Sequence, residues 1–180
     1  MIEEMFLNLV EQYQEQIYQY AFYLLNNQDD AKDVTQEIFI KAWTSNIELR
    51  LETVQSWLLK CTNNLCIDLL RRRRFQAPLA TGDTEEIETL VYHQHEDTAS
   101  ELSNSSPEER CLRGERQQLV QQATAQLPLH FRTVVIMHEI NELSFEEIAE
   151  TLNQPVGTVK SNMFRAKKIL REILGNSMGR

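Results

Sequence analysis

Residues 143–171 read LSFEEIAETLNQPVGTVKSNMFRAKKILR. Ser144 stands three residues before Glu147. A serine and a glutamate at that spacing form a capping box, in which each side chain takes the other's backbone N–H. The pattern opens a short helix through Leu152, with Ile148 and Ala149 inward. Asn153-Gln154-Pro155 makes a turn, and a longer helix follows from about Val156 to Leu174. Short helix, tight turn and longer helix make the outline of a helix-turn-helix.

The longer helix can be laid out at about 100° per residue. Val156, Val159, Met163, Ala166, Leu170 and Ile173 fall on one side. Lys160, Phe164, Lys167, Lys168 and Arg171 fall on the other, with Ser161 and Arg165 at its edge. The apolar side can dock on a domain while the basic side meets phosphates and base edges. Lysine and arginine supply salt-sensitive affinity by releasing counterions. Ser161 and Phe164 can touch base edges, and Phe164 suits a thymine methyl. The plainer alternative is an amphipathic helix with a solvated basic face. An aromatic among cations is not explained by solvation.

Upstream, Ser106-Pro107-Glu108-Glu109 is a second capping box, with proline at the first helical position. It restarts order after Gln76 to Ser105, a Thr-, Ser- and Glu-rich stretch with little periodicity that reads as a mobile acidic linker. Before it, Met5, Phe6, Leu9, Val10, Tyr13, Ile17, Tyr20, Ala21 and Leu24 stripe a long helix. Residues 26–30, NNQDD, break it and cap a second, carried by Ala31, Val34, Ile38 and Ala42 to about Trp43. Thr44 to Thr53 reads as a loop. Val54, Trp57, Leu58, Cys61, Leu65 and Leu69 stripe a third helix that ends in Arg71 to Arg74. The expected fold is therefore all-α, with two small helical domains at 1–76 and 107–180 and a flexible acidic linker at 77–106. The second domain holds the helix-turn-helix.

Charge follows the same division. The 180 residues carry a formal charge of −9. Residues 1–76 hold 8 basic and 11 acidic groups, 77–113 hold 2 and 9, and 114–180 hold 8 and 7. Acidity is concentrated in the middle, and the C-terminus is locally basic. Cys61, Cys66 and Cys111 form no CxxC pair and no zinc cluster, which fits a reducing cytoplasm. His93-x-His95 in a polar stretch is a weak metal signal beside a solvated loop. No signal peptide or membrane span is visible. No nucleophile elbow, phosphate loop or HExxH is present, so neither an enzyme nor a metal or cofactor is expected.

In the first domain, Asp29, Asp30, Asp33 and Glu37 share an exposed flank. They serve either solubility and the helix dipole or a basic partner surface. Arg71 to Arg74 exceed what a helix C-terminus needs and suit phosphate contact. Trp43 and Trp57 read as core before site. Asn64 faces either solvent or a nucleobase.

Three segments together resemble the extracytoplasmic-function (ECF) group of bacterial sigma factors. Residues 30–39, DAKDVTQEIF, with Lys41-Ala42-Trp43, look like the family's polymerase-binding helix. Ser56-Trp57-Leu58, Asn64 and residues 67–72, IDLLRR, look like the helix behind the downstream-element reader. Leu127-Pro128, residues 143–149, residues 155–161 and Arg165-Ala166-Lys167-Lys168 look like the upstream-element reader.

The resemblance implies a factor that binds RNA polymerase core and directs promoter-specific initiation, in an envelope or stress response. Asp30, Asp33, Gln36, Glu37 and Phe39 would contact core. Trp57, Asn64, Arg71 and Arg72 would serve the downstream element, with the loop Thr44 to Gln55 holding an unstacked base. Thr158, Lys160, Ser161, Phe164, Arg165 and Lys168 would read the upstream element. The implied partners are polymerase core, promoter DNA and an anti-sigma factor, in the cytoplasm. Asn162 and His138 depart from the family, each standing where arginine is common. At His138 this removes a backbone contact and adds a pH-sensitive group. Two other readings stay open: a helix-turn-helix regulator without sigma activity, and a protein-binding helical adaptor.

Overall fold

The computed structural model describes residues 2–45, 51–76 and 118–177. Every regular element among them is helical. Helix α1 (Ile2–Leu25) buries Leu9, Tyr13, Ile17, Tyr20, Ala21 and Leu24 of the expected stripe, while Phe6 and Val10 are half-buried and Met5 is exposed. It stops at Asn26, which takes the left-handed conformation (φ 52°) that asparagine tolerates better than most residues. Asn27 then caps α2 (Gln28–Thr44), its side-chain oxygen accepting from the Asp30 N–H at 3.0 Å. Asp29 and Asp30 in the first turn and Lys41 in the last complement the helix dipole.

Helix α3 (Leu51–Gln76) starts earlier than the Thr44 to Thr53 loop allowed. Residues 46–50 lie outside the described residues. Its buried arc is also wider than the expected stripe. Val54 and Leu58 are buried as expected, but so are Leu59, Thr62, Asn63, Cys66 and Leu70, while Trp57, Cys61, Leu65 and Leu69 are only half-buried. The cause is packing on more than one side, because α3 lies against α1 and α2 and also against the second half of the chain.

That second half is helical over 118–125 (α4), then forms α5 (Leu129–Val135), which runs into a π-helical turn at Ile136–Ile140. Helix α6 (Phe145–Leu152) and helix α7 (Val156–Ser177) complete it. Leu127, Val134, Ile136, Met137, Ile148, Val159, Met163 and Ala166 form its interior. This interior is continuous with that of α1–α3, because α6 packs on α3 while α5 and the π turn pack on α1. The capping box at Ser106, the linker at 77–106, the His93/His95 pair and Cys111 lie outside the described residues.

Candidate nucleic-acid and polymerase-binding faces

The helix-turn-helix is built as its residue types require. Ser144 Oγ accepts from the Glu147 N–H at 3.2 Å, and a Glu147 carboxylate oxygen accepts from the Ser144 N–H at 2.8 Å and its hydroxyl at 2.7 Å. The hydroxyl and N–H of Ser144 hold the Glu147 carboxyl below its ordinary pKa. Asn153 ends α6 in the left-handed region (φ 52°), and the Gln154 N–H reaches back to the Ala149 carbonyl at 2.9 Å. The Pro155 carbonyl starts α7 by accepting from the Thr158 and Val159 N–H groups. The turn thus fixes the angle between α6 and α7 with few residues.

On α7, Val159, Met163 and Ala166 are buried, and Val156, Leu170 and Ile173 are half-buried. Thr158, Lys160, Ser161, Phe164, Arg165, Lys167, Lys168 and Arg171 are exposed. Phe164 is 73% exposed, with cationic neighbours on both sides along the helix. Asn162 is half-buried, at the margin of the face. Two of the cations are held by acids outside α7: Lys160 by Glu146 at 3.6 Å and Lys167 by Glu139 at 2.9 Å. The Lys160 ammonium also sits 5.8 Å from the centre of the Phe145 ring, within cation–π range. Stacked on that ring is His138 (centroids 4.6 Å apart, planes at 20°), whose Nδ1 lies 2.8 Å from the Leu143 carbonyl. His138 therefore buttresses the start of α6. Sequence periodicity carried no sign of these cross-element pairs, because the partners lie on different elements.

Among the expected polymerase contacts, Asp33, Gln36 and Glu37 are exposed. Asp30 is a correction: it is half-buried and paired with Arg73, and so ties α2 to α3. Phe39, 7% exposed, packs edge-on to Phe6 on the side of α2 that α1 covers. Trp43 is a second correction: instead of core it is 48% exposed and rests edge-on against Phe6 at 4.8 Å. With Phe6, Leu7, Val10, Phe39 and Ile40 it lines a groove of about 1230 Å³ between α1 and α2. Leu7 and Ile40, exposed on its lip, were not among the expected contacts, because each falls outside the apolar stripe of its own helix.

On α3, Trp57 is half-buried against the core, and Asn64, Arg71 and Arg72 are exposed. Arg71 sits 3.9 Å from Asp68. Burial pushes the thiols of Cys61 and Cys66 above their ordinary pKa, so neither is an activated nucleophile. Among the described residues no group of side chains could hold a metal ion, and no helix is long and apolar enough to cross a membrane.

Residues 9–76 match sigma-70 region 2, and residues 117–170 match sigma-70 region 4. The chain is 32% identical over 178 residues to the ECF RNA polymerase sigma factor SigW of Bacillus subtilis, an alignment covering 96% of this chain and 90% of that protein. The chain belongs to the ECF group of sigma factors. Its function is that of the group: directing transcription initiation. Its fold is also that of two solved structures. The sigma factor RpoE of Bartonella quintana, in complex with the anti-sigma factor NepR, superposes with a TM-score of 0.71 at 19% identity, over 96% of this chain and 98% of that one. CnrH, in complex with the cytosolic domain of CnrY, gives 0.68 at 21%, over 97% and 90%. In this sigma factor α1–α3 are region 2, and the helix-turn-helix lies in region 4.

Proposed function

We propose a division of labour between the two regions. Region 4 reads an upstream promoter element through Thr158, Lys160, Ser161, Phe164, Arg165 and Lys168. Region 2 serves the downstream element through Trp57, Asn64, Arg71 and Arg72. It binds polymerase core through Asp33, Gln36 and Glu37, with the α1–α2 groove as the apolar centre and these side chains as the polar rim. Residues 1–76 and 107–180 act as the two functional units, with 77–106 connecting them.

The observation that carries this reading is α7. Its apolar side is spent on the core while five cations and the exposed Phe164 share the outer side. Such a face supplies phosphate affinity and an aromatic probe for a base edge. Sigma factors with this fold have been captured with anti-sigma proteins. This chain accordingly takes an anti-sigma partner, works in the cytoplasm beside its polymerase, and performs no turnover chemistry of its own.

Run-off transcription with bacterial core polymerase and a library of promoter fragments tests the reading. Lys160→Ala with Arg165→Ala is expected to lower promoter binding by about tenfold or more while core binding is kept. Asp33→Ala with Glu37→Ala is expected to do the reverse. Equal damage to both activities by each pair, in folded protein, refutes the division. Tight sequence-specific duplex binding without any core binding makes the chain a helix-turn-helix regulator.

A further inference from the structure

Five cations stand on the outer side of α7, and they are not equivalent. Lys160 and Lys167 are ion-paired, to Glu146 of α6 and to Glu139 of the π turn. Among the described residues, Arg165, Lys168 and Arg171 have no acid within ion-pair range. The two paired lysines are seven residues apart, about two turns, and so lie almost above one another. They form the margin of the basic face toward the elements that precede α7, while Lys168 falls near its middle. The acids come from a stretch of one sign: residues 139–150 hold five glutamates and no basic residue. Glu147 is taken up by the Ser144 cap, whereas Glu139 and Glu146 reach across to α7.

Exposed ion pairs of this kind add little to stability. Their larger effect is on a third charge. A lysine gains affinity for DNA by releasing the counterions that surround the phosphates and itself. A lysine held by a carboxylate carries its counterion on the protein, where it cannot diffuse away. To reach a phosphate it must leave the acid or bring the acid along, and either course weakens binding. The Phe145 ring acts on the same Lys160 ammonium differently, because it orients the charge without cancelling it. We propose that Glu139 and Glu146 are built-in counterions of the DNA reader, which withhold Lys160 and Lys167 and so set how strongly α7 grips phosphates. This deepens the promoter-reading role proposed above and rests on it. The acids leave base contacts untouched and lower the sequence-independent part of the affinity. A reader restrained in this way is sequestered less by the large excess of non-promoter DNA.

The test uses the full chain, alone on a scrambled duplex and with core polymerase on a promoter fragment, with affinity followed from roughly 50 to 200 mM salt. Glu139→Gln and Glu146→Gln keep side-chain shape and remove the charge. Each is expected to raise affinity about threefold at the low-salt end and to steepen the log–log salt slope by up to about 0.9, with the gain shrinking as salt rises. Glu150→Gln removes the same charge from an exposed, unpaired position of α6 and is expected to change the slope far less. Lys167→Met is expected to cost more affinity in the Glu139→Gln background than in the wild type, a coupling that net charge alone does not produce. Unchanged slope and affinity in both glutamate variants, or an equal gain from Glu150→Gln, overturns the proposal. A loss of affinity overturns it too, since the acids would then place the lysines for DNA instead of withholding them. If Lys160→Ala with Arg165→Ala weakens binding while the glutamate variants change nothing, the reader stands and only the counterions fall. If the wild type shows no salt-dependent duplex binding in either form, both readings fall.

Discussion

Helices α3 and α7 sit in the molecule differently. Helix α7 rests on region 4 by one narrow stripe and gives the rest of its circumference to solvent. Helix α3 is enclosed by α1, α2 and α6, and it buries Thr62 and Asn63 beside Leu58, Leu59 and Cys66. A helix packed on one side shows its role in its periodicity. A helix packed on several sides must bury polar residues, and each then depends on a partner that periodicity does not name.

The sharpest way to break this contrast is to excavate each helix. Leu58→Ala, at a fully buried position of α3, is expected to cost about 2–5 kcal/mol in denaturant-induced unfolding. Val159→Ala on α7 removes less volume from a site with packing on fewer sides, and it is expected to cost less. Equal costs would mean that α7 is as deeply enclosed as α3.

The buried polar group gives the next largest effect. Asn63 accepts from the Tyr20 hydroxyl in a site where Tyr20 is fully buried, and burial raises the Tyr20 pKa well above its usual value. Asn63→Ala removes that acceptor and is expected to cost about 1–3 kcal/mol. In the Tyr20→Phe background the same change is expected to cost less, since no hydroxyl is left to strand. A double-mutant cycle on thermal or denaturant unfolding measures the difference. Additive losses would show that Asn63 acts by packing alone.

The same contrast explains what the sequence made legible. Three helices followed by a helix-turn-helix, the capping box at Ser144, the turn at Asn153 and the face of α7 all follow from local spacing, because cap and stripe partners lie within a few residues. The start of α3 and its full interior do not, because they depend on α1 and α6. The site divides likewise. Asp33, Gln36 and Glu37 are exposed as expected, whereas Asp30 is claimed by Arg73, a residue 43 positions away. Trp43, expected in the core, is 48% exposed, because α1 covers α2 more fully at Phe39 than at Trp43. Arg132 gave no local sign that it is buried, since one of its acceptors, the Leu24 carbonyl, lies at the end of α1.

A smaller effect tests the local side of the contrast. Ser144→Ala removes the hydroxyl's half of the α6 cap, leaving the backbone N–H to the Glu147 carboxylate, and is expected to cost about 1 kcal/mol. Its signature is in pH. The folded Glu147 pKa is lowered by Ser144, so the stabilisation is fully present above the unfolded value of about 4.3 and is lost as pH falls through the lower folded value. Wild-type unfolding followed from roughly pH 6 to pH 3 should show this loss, and Ser144→Ala should shrink it to the part that the backbone N–H sustains. An unchanged pH slope would assign the cap's stability to something other than the Glu147 carboxylate.

The smallest effect lies where α6 meets α7. The Phe145 ring, backed by His138, offers its face to Lys160. An exposed contact of this kind contributes about 0.5–1 kcal/mol, enough to bias where an otherwise mobile ammonium points. Phe145→Leu is therefore expected to weaken promoter binding by a fewfold, and Phe145→Tyr to restore it. The decisive comparison is the same substitution in a Lys160→Ala background, where the ring has no ammonium left to orient and Phe145→Leu should have no further effect. A full effect there would show that Phe145 supports DNA binding through the position of α6 rather than through Lys160. The face of α7 would then be set by backbone geometry alone.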